Sequence, residues 1–162
     1  MCISLNEALI YAYGLPGSTS LKLGTLILEA LMHNQFEVIE RHLKSLYASI
    51  PFDWYRKNPI SNYEGHYASI FYSHFVGLGL SVTVEDSCST GRVDMVVDFN
   101  HCIYVFEFKV VADTPTGAAL AQIKTKNYAQ KYVKDNKFVY LIGVEFSKVQ
   151  KQIVAFEVEQ CS

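Results

Sequence analysis

The stretch Cys102-Ile103-Tyr104-Val105-Phe106-Glu107-Phe108-Lys109-Val110-Val111 decides the fold. Apolar, aromatic and β-branched residues fill it except for one carboxylate and one ammonium, so it reads as a β-strand. Alternate residues of a strand share a face, which points Glu107 and Lys109 the same way, roughly 6.5 Å apart along the chain. Charges inside so apolar a run are costly unless they are paired or bound to something.

Upstream, Gly91-Arg92-Val93-Asp94-Met95-Val96-Val97-Asp98 reads as the preceding strand, and Phe99-Asn100-His101 as a tight turn. If the turn centres on Asn100 and His101, Asp94 falls opposite Glu107. If it centres on Phe99 and Asn100, Asp94 is a diagonal neighbour of Glu107. Both registers put the two carboxylates on one face. Two carboxylates repel unless a hard divalent cation lies between them, and Mg²⁺ (or Mn²⁺) accepts oxygen ligands while retaining several waters. The Phe108 carbonyl is a candidate further ligand. Lys109 would stand beside the attacking water or the scissile phosphate, to orient or deprotonate the one or neutralise the other. The chemistry these residues point to is metal-assisted hydrolysis of a phosphodiester.

Further out, the chain predicts helices and strands in a definite order. Residues 1 to about 60 read as a helical extension, with Leu28, Leu31, Met32, Phe36, Ile39, Leu43, Leu46 and Tyr47 at near-helical spacing. Leu15-Pro16-Gly17-Ser18 reads as a loop, and Pro59–Asn62 as a connector. A helix follows over about Asn62–Leu78, with Ser61 as candidate N-cap, Gly77 and Gly79 marking its end, and Tyr67, Ala68, Phe71 and Phe75 on one face. Leu80–Glu85 is a strand and Asp86–Gly91 a turn. After the Cys102–Val111 strand, Thr114 or Thr116 caps a helix running to about Asp135. Phe138–Phe146 is a strand buried on both faces, and Gln152–Val158 a last strand at an edge. A helix between two strands is long enough for a crossover that sets them parallel. The expectation is an α/β domain over residues 61–162: a mixed sheet flanked by helices.

Composition limits the classes. The chain has 162 residues, half of them hydrophobic, with net charge -2 and pI about 6.2. That supplies a real core and argues against strong non-specific affinity for nucleic acid, which is carried by basic surfaces. The cysteines, Cys2, Cys88, Cys102 and Cys161, have no zinc-like spacing and read as free thiols of a reducing compartment. The N-terminus is unlike a signal peptide, and no apolar run reaches the roughly 18 residues that span a membrane. The expectation is a cytoplasmic protein with no membrane partner.

Asp94, twelve intervening residues, then Glu107-Phe108-Lys109 resemble the D…(D/E)-x-K signature of the PD-(D/E)XK nuclease superfamily. The closer resemblance is to the bacterial family found C-terminal to AAA-type ATPase-like domains. Ala48-Ser49-Ile50-Pro51, Tyr63-Glu64-Gly65-His66-Tyr67, Gly91-Arg92-Val93-Asp94 and Ala121-Gln122-Ile123-Lys124…Tyr128 carry it. The resemblance implies a restriction-endonuclease-like fold and a Mg²⁺-dependent nuclease acting on nucleic acid, DNA before RNA. A homodimer and an ATPase-like domain or partner are further implied possibilities. It also implies a further acid at Glu64, which otherwise serves a capping box with Ser61. Gln122 matches a site glutamine, or else is a solvated helix residue. Val93 stands where the signature has proline. Lys124, Lys126, Lys131, Lys134 and Lys137 form a locally basic run that either is solvated or tracks a phosphate backbone, as Arg92 would near Asp94.

Two other readings stand beside the nuclease. One is a nuclease-fold binding or assembly module, in which Glu107 pairs with Lys109 and Asp94 with Arg92. The other is a metal-binding regulator without turnover.

Overall fold

The computed structural model describes residues 17–50, 64–88, 91–127, 129–132 and 137–161. Five strands, β1 (Ser81–Cys88), β2 (Gly91–Phe99), β3 (Cys102–Val111), β4 (Phe138–Ser147) and β5 (Ile153–Cys161), lie in the order β1-β2-β3-β4-β5. The first three form an antiparallel meander, β4 joins β3 in parallel, and β5 is antiparallel to β4 at the edge. The helices are α1 (Gly17–Met32), α2 (Phe36–Ala48), α3 (Glu64–Gly77), α4 (Ala118–Thr125) and the short α5 (Ala129–Tyr132). This is the mixed α/β sheet with flanking helices that the sequence predicts.

The period of two along β3 separates the faces of the sheet. Tyr104, Phe106 and Phe108 pack with buried residues of α1, α2 and α3, including Leu31, Leu43, Tyr67, Phe71 and Phe75. Ile103 and Val105 pack with Val96, Val139, Leu141 and Ile123 of α4 on the other. Glu107 and Lys109 share the parity of Ile103 and Val105, and so belong with the α4 face. The two-residue turn at Asn100 and His101 takes φ of 49° and 61°, as type I′ hairpin turns require. It pairs Phe99 with Cys102 and Met95 with Phe106, so the register that sets Asp94 opposite Glu107 is the one formed.

Several expectations give way, each for a local reason. The helical run from Leu28 to Tyr47 is two helices, because Asn34 takes φ 51° and closes α1 with the Gln35 N–H on the Ala30 carbonyl at 2.8 Å. Helix already begins at Gly17, so the loop is not at Gly17-Ser18, while Leu15 and Pro16 lie outside the described residues. The Ser61 cap and the Pro59–Asn62 connector lie outside them too. Asp86, Ser87 and Cys88 are strand, paired with Val93, Arg92 and Gly91, so the turn predicted over Asp86–Gly91 is shorter. The helix predicted to run to Asp135 breaks at Asn127, φ 50°, into α4 and α5. Its N-cap is Gly117 rather than a threonine. Glu145 of β4 serves its amides instead, accepting from the N–H of Thr116 at 2.5 Å, of Ala118 at 2.7 Å and of Ala119 at 3.3 Å. Burial pushes the Glu145 carboxyl up, but these donors outweigh it and hold it below the usual range.

Three contacts fix where helices sit. Gly143 of β4 lies under α4 so closely that a Cβ there would stand 2.4 Å from the Leu120 amide nitrogen. On the other face, the Tyr104 hydroxyl donates to the Leu31 carbonyl at 2.8 Å, and that of Tyr47 to the Tyr67 carbonyl at 2.6 Å. Gly143→Ala should therefore push α4 off the sheet and destabilise the protein by about 1–3 kcal/mol in urea unfolding.

His42 of α2 and His74 of α3 meet through their Nε2 atoms at 2.9 Å. Burial, with the neighbouring His42 adding to it, lowers the pKa of His74 from 6.5 to about 4. The folded protein thus keeps His74 neutral where the unfolded chain takes up a proton. Its contribution to stability is complete above pH 6.5 and is lost as the pH falls toward 4. In urea unfolding, His74→Gln should flatten the fall in stability between about pH 7 and about pH 5.

Candidate active site

Both ladders of β2 are interrupted at Asp94. Towards β1, Val84 pairs with Met95 and Asp86 with Val93, but Glu85 between them has φ 52° and does not pair with Asp94. Towards β3, pairing runs from Phe99–Cys102 to Met95–Phe106 and stops one position short of Asp94 and Glu107. The Phe108 N–H, released from the ladder, donates to Asp94 Oδ2 at 2.8 Å. The sheet opens at this point, and the carboxylate of Asp94 bridges the opening.

Glu107 is 1% exposed. On β4 it faces Gly143, whose missing side chain lets α4 close over it. Gln122 Nε2 donates to Glu107 Oε1, and Lys126 Nζ reaches the same oxygen at 3.0 Å while also donating to the Arg92 carbonyl at 2.7 Å. Gln122 and Lys126 are one turn apart on one side of α4. Among the described residues, Glu107 Oε2 is buried with no hydrogen-bond partner. Lys109, the next residue on that face, turns its Nζ to Glu64 in the first turn of α3, 3.4 Å from either carboxylate oxygen.

The electrostatics favour a cation at this point. Burial, and secondly the Asp94 charge, raise the Glu107 carboxyl against the pull of Lys126 and Lys109. Burial likewise raises Asp94, despite its bond from the Phe108 amide. Two carboxylates whose charged forms are disfavoured, one with an orphan oxygen, fit a hard divalent ion that takes one or two carboxylates and keeps its waters. Among the described residues no three His, Cys, Asp or Glu side chains converge to form a complete metal cage.

Asp94, Glu107, Gln122, Lys126, Lys109 and Glu64 are thus linked by direct contacts or mutual electrostatics, with the Phe108 backbone between them. Arg92 joins that chain only through its carbonyl, which accepts from Lys126, while its guanidinium stands 3.4 Å from Glu85. Lys124 is held at 2.7 Å by Glu159 of β5, two strands from β3. The pairings of the binding-module reading do not form, since Lys109 takes Glu64 and Arg92 takes Glu85 in place of Glu107 and Asp94. The described lysines of the basic run are not free, and Lys134 lies outside the described residues. Lys131 pairs with Asp86 and Lys137 with Asp98, as Lys124 and Lys126 pair with Glu159 and Glu107. The sequence reading passed over Glu145 and Gly143, which position α4. Both carried a signal: a charge in an apolar strand, and a glycine in a strand interior.

The model of the PD-(D/E)XK nuclease superfamily matches residues 62–156. A protein of Azotobacter chroococcum mcd 1, described as an uncharacterized protein in the vnfD 5' region, is 50% identical over 157 residues. The match covers 96% of this chain, which spans 30% of the length of that relative. No solved structure matches. Among the described residues no helix is long and apolar enough to cross a membrane.

Because its carboxyl is raised, Glu107 adds most to stability in acid and less as the pH climbs past its ordinary 4.5. Glu107→Gln should therefore raise the thermal midpoint of the metal-free protein at neutral pH. A lowered midpoint in calorimetric scans would mean that the Lys126 pair outweighs the cost of burying the charge.

Proposed function

The chain belongs to the PD-(D/E)XK nuclease superfamily, and on that premise we propose that it is a Mg²⁺- or Mn²⁺-dependent nuclease that hydrolyses phosphodiester bonds in DNA. The observation that carries this reading is the buried, unpartnered Oε2 of Glu107 beside Asp94. A protein keeps such a group where something binds it. Asp94 and Glu107 would hold the ion, with the Phe108 carbonyl and Glu64 as further oxygen donors. Lewis-acid polarisation of the phosphodiester and acidification of water are what a bound ion supplies.

The remaining steps fall to the chain's own side chains. The Lys109 ammonium orients the attacking water and offsets the charge that gathers on the phosphoryl oxygens. Gln122, through its amide, keeps Glu107 Oε1 occupied and so leaves Oε2 as the free donor. Arg92, Lys124 and Lys126 are the side chains proposed for flanking phosphates, which would compete with the Glu85, Glu159 and Glu107 carboxylates that they now hold.

The nuclease unit is taken as residues 61–162, in a cytoplasmic setting, with residues 1–60 as a helical extension that adds α1 and α2 to its core. An ATPase-like domain or partner, and a homodimer, are part of the same proposal. One observation favours the alternative, a non-catalytic module for protein contacts: the lysines described in the basic run each already hold a carboxylate.

Titration calorimetry with Mn²⁺ tests the metal assignment. Wild type should bind, Asp94→Ala with Glu107→Ala should not, and Lys109→Ala should bind as wild type does. Unchanged affinity in the double variant would remove both carboxylates from the site.

A further inference from the structure

Helix α3 has two working faces. Tyr67, Phe71 and Phe75 are buried in the core. Glu64, Ala68 and Tyr72, spaced four apart, share another side and line a cavity of about 300 Å³ between α3 and the sheet. The opposite wall is Val84 and Glu85 of the edge strand β1 with Met95 of β2, and Asp94 closes the end. The lining of the cavity therefore includes Asp94, the residue proposed to hold the metal ion. Tyr72 and Val84 are 39% and 48% exposed, a large apolar surface left in water at the mouth of a polar site.

We propose that this groove receives an unpaired nucleobase next to the scissile phosphodiester, so that the substrate is single-stranded nucleic acid. The proposal rests on the nuclease reading for its position beside Asp94. Among the described residues lining the groove none is a lysine or arginine, and two cations beside it, Lys109 and Arg92, already pair with its Glu64 and Glu85. A base does fit those walls. Its faces are apolar and stack on an aromatic ring such as that of Tyr72, which is how sequence-tolerant single-strand binding gains its affinity. Its amino edge is a donor, and an acidic side chain such as Glu85 accepts from the exocyclic amine of cytosine. Duplex DNA keeps those faces stacked inside and presents its phosphates, for which the neutralised lysines of α4 and its surroundings offer little. The charge pattern and the groove thus select the same substrate class.

Fluorescence anisotropy with a labelled oligodeoxycytidine, with Ca²⁺ in place of Mg²⁺ to prevent cleavage, tests this. Wild type should bind the single strand more tightly than its duplex with oligodeoxyguanosine. Tyr72→Ala should weaken single-strand binding about tenfold, Tyr72→Phe should restore it, and Val84→Glu should weaken it by placing a charge in the groove. Tyr72 and Val84 lie at the surface, and Mn²⁺ affinity unchanged in all three variants verifies that the fold and the carboxylates survive. Equal affinity of Tyr72→Ala and wild type, tighter binding of the duplex, or no binding of any nucleic acid overturns the proposal. Tyr72-dependent binding of the single strand without cleavage upholds the groove and defeats the nuclease reading. Duplex cleavage indifferent to Tyr72→Ala does the reverse.

Discussion

A carboxylate held inside a β-sheet, that of Glu107, is the constraint around which the rest is arranged. A buried charge is tolerated only with partners. Here one oxygen takes both Gln122 and Lys126, and the other takes nothing. The partners arrive because α4 lies closer to β4 than any side chain at position 143 would allow, and because Glu145 binds the first amides of that helix. The pair of β4 residues thus sets the helix, and the helix sets Glu107. On the other flank the ladder opens, so that Asp94 can turn to the Phe108 amide instead of being sealed into strand pairing.

The back of β3 is as firmly held as its front. Phe106 and Phe108 pack against Phe71, Tyr67 stacks on Phe146 with ring centroids 4.1 Å apart, and the hydroxyls of Tyr104 and Tyr47 tie α1 and α3 into the same layer. A strand fixed on one face can present charged groups on the other without reorganising, which is what a preorganised site requires. Helices α1 and α2 therefore matter to the site through the rigidity of β3, although none of their described residues is linked to Asp94 or Glu107 by a hydrogen bond or ion pair among those found here.

Much of this was legible in the chain because it is local. Strand β3 is read from its own composition, while its hairpin register was open between two turns, of which the structure takes the one at Asn100 and His101, residues at positive φ. The burial of β4 follows from an unbroken apolar run. The crossover helix was placed, but its break at Asn127 was not, since an asparagine in a polar stretch looks the same inside a helix as at its end. The sharper failure concerns long-range contacts. Nothing near Thr116 says that its amide is served by Glu145, and nothing near Lys126 says that it meets Glu107 rather than solvent. The basic run stood open between a solvated face and a phosphate track because partners of its lysines, Asp86, Asp98 and Glu159, lie on three different strands.

Charge governs how the proposed nuclease would engage nucleic acid. A net charge of -2 and lysines occupied by carboxylates leave little for sequence-independent capture of a duplex. On the proposed reading, binding would come from the site itself, through a cation held by Asp94 and Glu107 and the groove along α3. The most direct measurement is the rate of single-stranded DNA cleavage in Mg²⁺ by wild type and by Lys109→Ala. The expected result is cleavage by wild type that disappears in the variant. Equal rates for the two proteins, or no cleavage by wild type, would contradict an active site built on Asp94, Glu107 and Lys109.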